Sequence, residues 1–204
     1  MAAYRGGLST VSSIATLSLA AIWLMPATGQ HAARGSYVDE LVRGLVELIV
    51  YIVPAMVANG APVVMHGPPP IDFGRRFIDG RRVFGDGKTW GGLLGGLTAG
   101  TLVSSVEAAF VGPMIIPYGA LSSLGALIGD LLGSFLKRRV GLERGARAPV
   151  LDQLGFYLFA LILLYAKGVT FPLPDELLWA VVIYGLHRAT NWGAYRLGLK
   201  SVPW

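Results

Sequence analysis

The 204-residue chain contains no cysteine. That excludes disulfides, thiolate metal sites and cysteine nucleophiles, and it leaves the redox compartment unread. Charge is also scarce, at 14% of residues, against about 25% in soluble domains. Histidine occurs three times. What is present instead is 53% hydrophobic residues and 28 glycines. Several apolar stretches reach the ~20 residues that a bilayer crossing needs. Small residues let membrane helices approach closely, and glycine suits loops that wrap phosphates. The net charge is +5 and the pI about 9.7. A basic balance often signals nucleic acid. Here the charge sits in two short loops between apolar spans, a placement that suits anionic lipid head groups or a nucleotide, so no nucleic-acid partner is expected.

The apolar pattern predicts an all-α, polytopic integral membrane protein with five transmembrane helices. They are expected over 41–58, 90–111, 114–136, 150–166 and 176–198. The loop over 60–89 carries Arg75, Arg76, Arg81, Arg82 and Lys88, and that over 137–149 carries Lys137, Arg138, Arg139, Arg144 and Arg147. Together they hold ten of the 17 basic residues, so the positive-inside rule puts both in the cytoplasm. The expectation is a multi-pass protein of the cell membrane whose active site faces the cytoplasm. Residues 39–204 form the membrane-embedded domain and 1–38 an N-terminal extension. Within that extension, 8–25 is rich in Ser, Thr and Ala. Three readings compete for it: a cleaved signal peptide, an extra span, or a start-site artefact, since Val38 is compatible with a GTG start codon. Whether 1–38 belongs to the mature protein stays open.

Ionisable residues in a span cost ~2.5–3.5 kcal/mol at its centre and tend to be functional. Asp130 closes an apolar run, with Ser134, Lys137 and Arg138 four, seven and eight residues later. That spacing puts all four on one helix face. A carboxylate there suits Mg²⁺, which takes one or two carboxylates plus substrate phosphates. The plainer reading is an aspartate paired with Lys or Arg. In the first loop, acidic Asp72, Asp79 and Asp86 alternate with the basic residues, and Gly85-Asp86-Gly87-Lys88-Thr89 leads into a helix. Helix starts bind phosphate through backbone N–H groups. The stretch is not a Walker A loop, because Arg82 stands where that motif needs glycine. Asp152 opens the fourth span at the same level as Asp130. On the fifth span His187, Asn191 and Tyr195 recur every four residues. They either bond between helices or touch the head group or nucleotide.

Together these motifs resemble the phosphatidate cytidylyltransferases. Gly129-Asp130-Leu131, Ser134, Lys137-Arg138, Gly141 and Leu151-Asp152 are similar to their signature, and Gly87-Lys88-Thr89-Trp90 with Gly92, Gly95 and Gly96 to their other nucleotide-binding stretch. The archaeal branch, the CDP-archaeol synthases, is the closer match. It is similar over 39–204, through Asn59-Gly60-Ala61-Pro62, Pro70-Ile71-Asp72, Asp79-Gly80-Arg81-Arg82, the Phe84 to Trp90 stretch and the ending Leu197 to Trp204. The resemblance implies Mg²⁺ and transfer of CMP from CTP to an unsaturated archaeol phosphate, an isoprenoid glycerol phosphate lipid with two geranylgeranyl ethers. The products would be CDP-archaeol and pyrophosphate, in phospholipid biosynthesis. It implies metal carboxylates at Asp130 and Asp152, with Lys88 beside them as a catalytic residue. Asn59, Asp72, Asp79, Arg81, Arg82, Gly85, Asp86, Gly87, Thr89, Ser134, Lys137 and Arg138 are the expected substrate-binding residues, joined by His187 and Asn191. Gly155 stands where the bacterial signature has a second acidic residue, which leaves the number of metal ions open.

In the implied step a lipid phosphate oxygen attacks the α-phosphorus of CTP and pyrophosphate leaves. A phosphate monoester is largely ionised at neutral pH (second pKa about 6), so no protein general base is required. His66 is the one histidine in the basic loops. Two rivals stand beside this reading: a CTP-dependent polyprenol kinase, which moves the γ-phosphate, and a non-enzymatic channel or lipid-binding membrane protein. A homodimer is compatible with all of them.

Overall fold

The structure is a computed structural model, which describes residues 37–65, 67–143 and 145–203. The chain divides into two compact units, Met1–Glu40 and Leu41–Trp204. The second holds the fold discussed below. The competing readings of 8–25 concern residues outside those described, as does any role for His66.

Helix α1, Tyr37–Glu47, runs through a π-helical turn at Leu48–Ile52 into α2, Val53–Gly60, and ends in a 3-10 turn at Ala61–Val63. Pro54 accounts for the wider turn. It has no N–H and its ring crowds the carbonyl one turn back. The π-turn absorbs both, and Val53 N–H is shared between the carbonyls of Leu48 and Ile49. Helix α3 spans Trp90–Val111, α4 Ile116–Arg139 (after a 3-10 turn at Pro113–Ile115), α5 Pro149–Ala166 and α6 Leu173–Arg196. No strand occurs among the described residues; the pairs Pro70–Thr89 and Arg76–Arg82 form isolated bridges.

Among the described residues, four segments are long and apolar enough to cross a membrane: Asp39–Val63, Trp90–Val111, Pro113–Arg139 and Pro149–Ala166. The fifth expected span forms as a helix, α6, beginning at 173 rather than 176. Its 24 residues give about 36 Å at 1.5 Å per residue, enough for a crossing. Asp175, Glu176, Arg188 and Arg196 make it more polar than the other four.

The helices are packed inside-out relative to a soluble bundle. Along α3 the buried residues are Gly92, Gly96, Gly100 and Ser104, whereas Leu102, Val106 and Phe110 are 60%, 65% and 73% exposed. Burying the small and exposing the large apolar side chains makes sense where lipid is the solvent. Ser104 and Ser123, fully buried, satisfy themselves on the carbonyls of Ile115 and Gly119.

Glycine spacing sets the helix registers. A Cβ on Gly92 would meet Pro62 at 3.1 Å, one on Gly96 the carbonyl oxygen of Ala58 at 2.6 Å, and one on Gly100 that of Pro54 at 2.6 Å. Steps of four on each helix, in opposite directions, lock α2 and α3 antiparallel. The same pattern joins α4 to α5. Gly125 abuts the Phe159 carbonyl, Gly129 the Gly155 carbonyl, and Gly133 the side chain of Leu151. Helix α4 thus packs against α2, α3 and α5. A larger apolar core fills the space where α2, α4, α5 and α6 meet, around Ile52, Ala126, Phe156, Leu164, Trp179 and Ile183.

Candidate active site

The α4–α5 register brings two aspartates to one end of the bundle. Asp130 follows Gly129, which touches the backbone at Gly155; Asp152 lies one residue from Leu151, which touches Gly133. Each carboxylate is met by a lysine from elsewhere. Lys88 Nζ, just ahead of α3, lies 2.5 Å from Asp130 Oδ2. Lys137 Nζ, in the last turn of α4, pairs with Asp152 Oδ1. Asp152 also caps its own helix, its Oδ2 accepting from Ala148 N–H at 2.9 Å. All four side chains are partly exposed.

Lys88 and Asp130 line an open cleft of about 250 Å³ with Gly87, Thr89 and Gly92 on its polar side and Pro62, Ile71, Leu93, Leu127 and Leu131 on its apolar side. Thr89 is the N-cap of α3, its hydroxyl accepting from Gly92 N–H at 3.1 Å. The Lys88 ammonium therefore stands at a helix N-terminus, where backbone N–H groups and the helix dipole favour an anion. Asn59 lies in the last turn of α2, one turn before Pro62.

The loop over 64–89 is organised around Asp72, whose side chain is 1% exposed. Arg82 grips it from two nitrogens, at 2.6 and 3.4 Å. Backbone N–H groups of Gly74, Phe84 and Gly85 donate to it as well. Burial opposes ionisation of Asp72, but the Arg82 guanidinium and these three N–H groups together outweigh it and hold the carboxyl well below the usual carboxylate range. Arg82 also reaches Asp86 at 2.5 Å. Two further links dock the loop on the end of α4. Arg81 donates to the carbonyls of Arg138 and Arg139, satisfying acceptors that a helix C-terminus leaves open. Arg139 bonds Asp79 at 2.7 Å and stacks over Phe77 and Phe135. Asp72, Asp79, Arg81 and Arg82, all expected among substrate-binding residues, thus have partners inside the protein. They hold the stretch that presents Gly85, Asp86, Gly87 and Lys88.

Arg138 comes from the face of α4 that carries Asp130, Ser134 and Lys137. Its Nη1 lies 3.9 Å from where a Cβ on Gly85 would be, and its buried Nε has no hydrogen-bond partner. Gly85 has φ +98°, a conformation open to glycine and rarely to other residues. A bulkier backbone there would close the gap between the loop and Arg138.

On α6, His187 stacks on Phe156 of α5 with centroids 5.9 Å apart. Its Nδ1 lies 3.0 Å from Asn191 Nδ2, and Asn191 Oδ1 accepts from Lys200 Nζ at 2.9 Å. Burial pulls the Lys200 ammonium below the ordinary lysine value; Asp152 and Asp130 oppose that and Lys88 and Lys137 add to it. Those four interactions place Lys200 within electrostatic reach of both acid–lysine pairs. Sequence reasoning did not include Lys200 among the site residues. Its only signal was membership of the Leu197 to Trp204 motif, because no regular spacing links it to Asp130 or Asp152.

Two carboxylates form a hard oxygen donor set of the kind Mg²⁺ accepts, with its remaining positions left to water and phosphate. No group of three or more His, Cys, Asp or Glu residues suited to a metal occurs among the described residues. Asp130 and Asp152 would therefore hold a Mg²⁺ only together with phosphate and water, not as an all-protein cage. Both are occupied by lysine, so a cation would have to displace Lys88 and Lys137 from them.

Comparisons with known proteins show the family. The family model CarS-like: CDP-archaeol synthase matches residues 41–204. The CDP-archaeol synthase of Sulfolobus acidocaldarius is 50% identical over 161 residues, covering 79% of this chain and 99% of that protein. That of Hyperthermus butylicus is 50% identical over 160 residues, 78% of this chain and 95% of its own length. A solved structure, described as an intramembrane enzyme for archaeal membrane lipids biosynthesis, superposes with a TM-score of 0.69 at 46% identity, covering 72% of this chain and 93% of its own. On a match spanning every helix that builds the site, this chain belongs to the CDP-archaeol synthase family.

Proposed function

We propose that this enzyme transfers CMP from CTP to a di-geranylgeranyl glycerol phosphate at the cytoplasmic face of the membrane. The observation that carries the reading is the Lys88–Asp130 pair in the cleft at the start of α3, where a helix N-terminus favours phosphate, with a second acid–lysine pair, Lys137–Asp152, at the same end of the bundle. Lys88, Lys137 and Arg138 receive the polyphosphate. As its charge arrives, the two lysines turn from carboxylate to phosphate, and Asp130 and Asp152 become available to a cation. Mg²⁺, when bound, offsets charge on the phosphate oxygens and the leaving pyrophosphate. The loop held by Asp72 keeps Lys88 and the Gly85–Gly87 backbone at fixed distance from α4. Holding donors ready in this way avoids reorganisation during transfer. A lipid phosphate oxygen then forms a bond to the α-phosphorus as the α–β bridging bond breaks. The monoester needs no deprotonation (second pKa about 6), which suits a site built from Lys, Arg and Asp. Lipid tails reach the site sideways from the bilayer, and α6 completes a five-span bundle.

The test is incubation of the purified chain with CTP, Mg²⁺ and the lipid phosphate. Pyrophosphate and a CDP-linked lipid are expected. Release of CDP with a doubly phosphorylated lipid would instead indicate a kinase, and absence of CTP binding a non-enzymatic protein.

A further inference from the structure

The loop over 64–89 serves the site along one edge and leaves another uncovered. Past the buried Asp72, every residue from Phe73 to Arg81 is exposed. Two of them are large apolar side chains turned to the outside: Phe73, 63% exposed, and Ile78, 94% exposed. Residues 75–83 form a short hairpin. Phe77 N–H donates to the Arg81 carbonyl at 2.8 Å and Val83 N–H to that of Arg75 at 3.2 Å, so Ile78 lies at its turn. Phe73 has φ +47°, a left-handed conformation that bulky residues rarely adopt. Two bonds hold it there: Phe73 N–H to the Pro70 carbonyl at 3.0 Å, and Gly74 N–H to Asp72 Oδ1 at 3.1 Å. A phenyl ring held out in this way is unfavourable in water and favourable where it meets lipid.

The seat of the hairpin says what covers it. Phe77 packs edge-on against Phe135 of α4 with centroids 5.4 Å apart, and Arg139 stacks over both rings. Phe135 stands four residues before the helix end, ~6 Å along the axis. The hairpin therefore rests against the flank of the last turn as well as its end. Leu132, Leu136 and Val140, which recur every four residues beside Phe135, are 36%, 50% and 71% exposed. They continue the lipid-facing surface of the bundle up to the hairpin. The 24 residues of α4 give ~36 Å against ~30 Å of hydrocarbon. Its last turn, with Lys137, Arg138 and Arg139, accordingly stands among head groups.

The charge fits the same surroundings. Residues 73–81 carry Arg75, Arg76 and Arg81 against the one acid, Asp79, and Asp79 is taken by Arg139. Arg81 is engaged on the α4 carbonyls. Arg76 donates to the Gly80 carbonyl at 2.7 Å, and a guanidinium has further N–H groups to give. Basic side chains beside exposed apolar ones are the pattern of a segment lying at a membrane interface.

We propose that the Phe73–Arg81 hairpin is a membrane-interface anchor. Phe73 and Ile78 enter the boundary between head groups and acyl chains at the site end of the bundle, and Arg75 and Arg76 bind lipid phosphates there. The partner is the lipid surface around the protein rather than a reacting phosphate, so the proposal stands apart from the transfer reading.

The experiment uses the full chain in phosphatidylglycerol nanodiscs, with a nitroxide on Ile78→Cys and, separately, on Phe73→Cys. The natural lack of cysteine makes each label single, and the exposure of both positions means that neither replacement opens the core. Power saturation compares collisions with oxygen, which concentrates in lipid, and with a nickel chelate, which stays in water. At both positions oxygen collisions are expected to exceed chelate collisions several-fold. Adding Arg75→Gln/Arg76→Gln to Ile78→Cys should remove most of that excess. Chelate collisions equal to or above oxygen collisions at both positions overturn the anchor. Protection from both reagents with spin–spin broadening would put a second copy on this face and overturn the lipid assignment. An unchanged excess in the arginine variant overturns phosphate binding by Arg75 and Arg76.

Discussion

Asp130 and Asp152 hold matching lysine pairs but differ in what else depends on them. Asp152 caps α5 through Ala148 N–H, so its replacement touches folding as well as the site; Asp130 has no such second duty among its described bonds. Asp130→Asn is expected to fold and to lose turnover by about a hundredfold or more, the scale of removing a preorganised charge partner. Adding Asp152→Asn should cost little further, since parts of one unit are non-additive. Turnover per folded molecule in both single variants and the double checks this, and near-parental turnover in Asp130→Asn would falsify the proposed role. Lys88→Ala should weaken CTP binding about tenfold, read by calorimetry; unchanged affinity would remove Lys88 from the phosphate site. Asp72 acts one step back. Its folded-state carboxyl lies below its unfolded value of about 3.9, so its contribution is complete above that pH and is lost as pH falls below it. Asp72→Asn leaves Arg82 short of its buried partner and is expected to cost about 3 kcal/mol. It should also flatten the acid limb of the stability curve, measured by thermal unfolding between pH 3 and 7 (a range set by about that unfolded value). An unchanged acid limb would mean that the loop does not depend on this charge.

At the scale of helices, glycine decides who meets whom. A Cβ at Gly129 would lie 2.6 Å from the Gly155 carbonyl oxygen, whereas one at Gly185 on α6 meets nothing within 4 Å. Gly129→Ala therefore forces α4 from α5, with an overpacking cost of about 1–3 kcal/mol, and moves Asp130 relative to Asp152. Gly185→Ala should be neutral or gain up to about 1 kcal/mol from helix propensity. Thermal unfolding with parallel turnover separates the two, and equal behaviour of both variants would contradict the close approach. The last turn of α4 shows the complementary economy of one element. Lys137, Arg138 and Arg139 sit at its negative dipole end. There they take three different partners: Asp152, the vicinity of Gly85, and Asp79.

For the whole molecule, the two basic loops and the site share one end of the bundle, and the orientation proposed from charge bias puts that end in the cytoplasm. The natural absence of cysteine makes the test direct. Single cysteines at Arg76 and Arg144 are expected to react only with reagent supplied from the cytoplasmic side; labelling from outside would invert the topology. On the proposed mechanism, chelation of divalent cations should abolish turnover and weaken CTP binding together, because the polyphosphate that draws the lysines away would leave two carboxylates beside it with no cation to offset their charge. Full turnover in excess chelator would remove Mg²⁺ from the mechanism.

The spans over 90–111 and 150–166, the extent of the basic loops and the helix start at Thr89 were legible from the sequence alone. Length, hydropathy and capping chemistry are local properties, carried by neighbouring residues. The family likeness was legible too, because its motifs are short and contiguous. The polarity of α6 blurred its limits, and the π-turn at Leu48–Ile52 had only Pro54 to announce it. Partner choice was not legible. Asp72, Asp79, Arg81 and Arg82 looked like ligand-binding charges in a polar loop, yet they bond to one another and to the end of α4. Lys200 had no spacing that tied it to anything. Which charge meets which depends on the registers of α2 on α3 and α4 on α5. Those registers are set by backbone contacts at Gly96, Gly100, Gly125 and Gly129 with residues 26 to 46 positions away, because only a missing side chain lets two helices approach closely enough. The sequence by itself determined the parts and their chemistry; the close approach of helices decided which of those parts share a site.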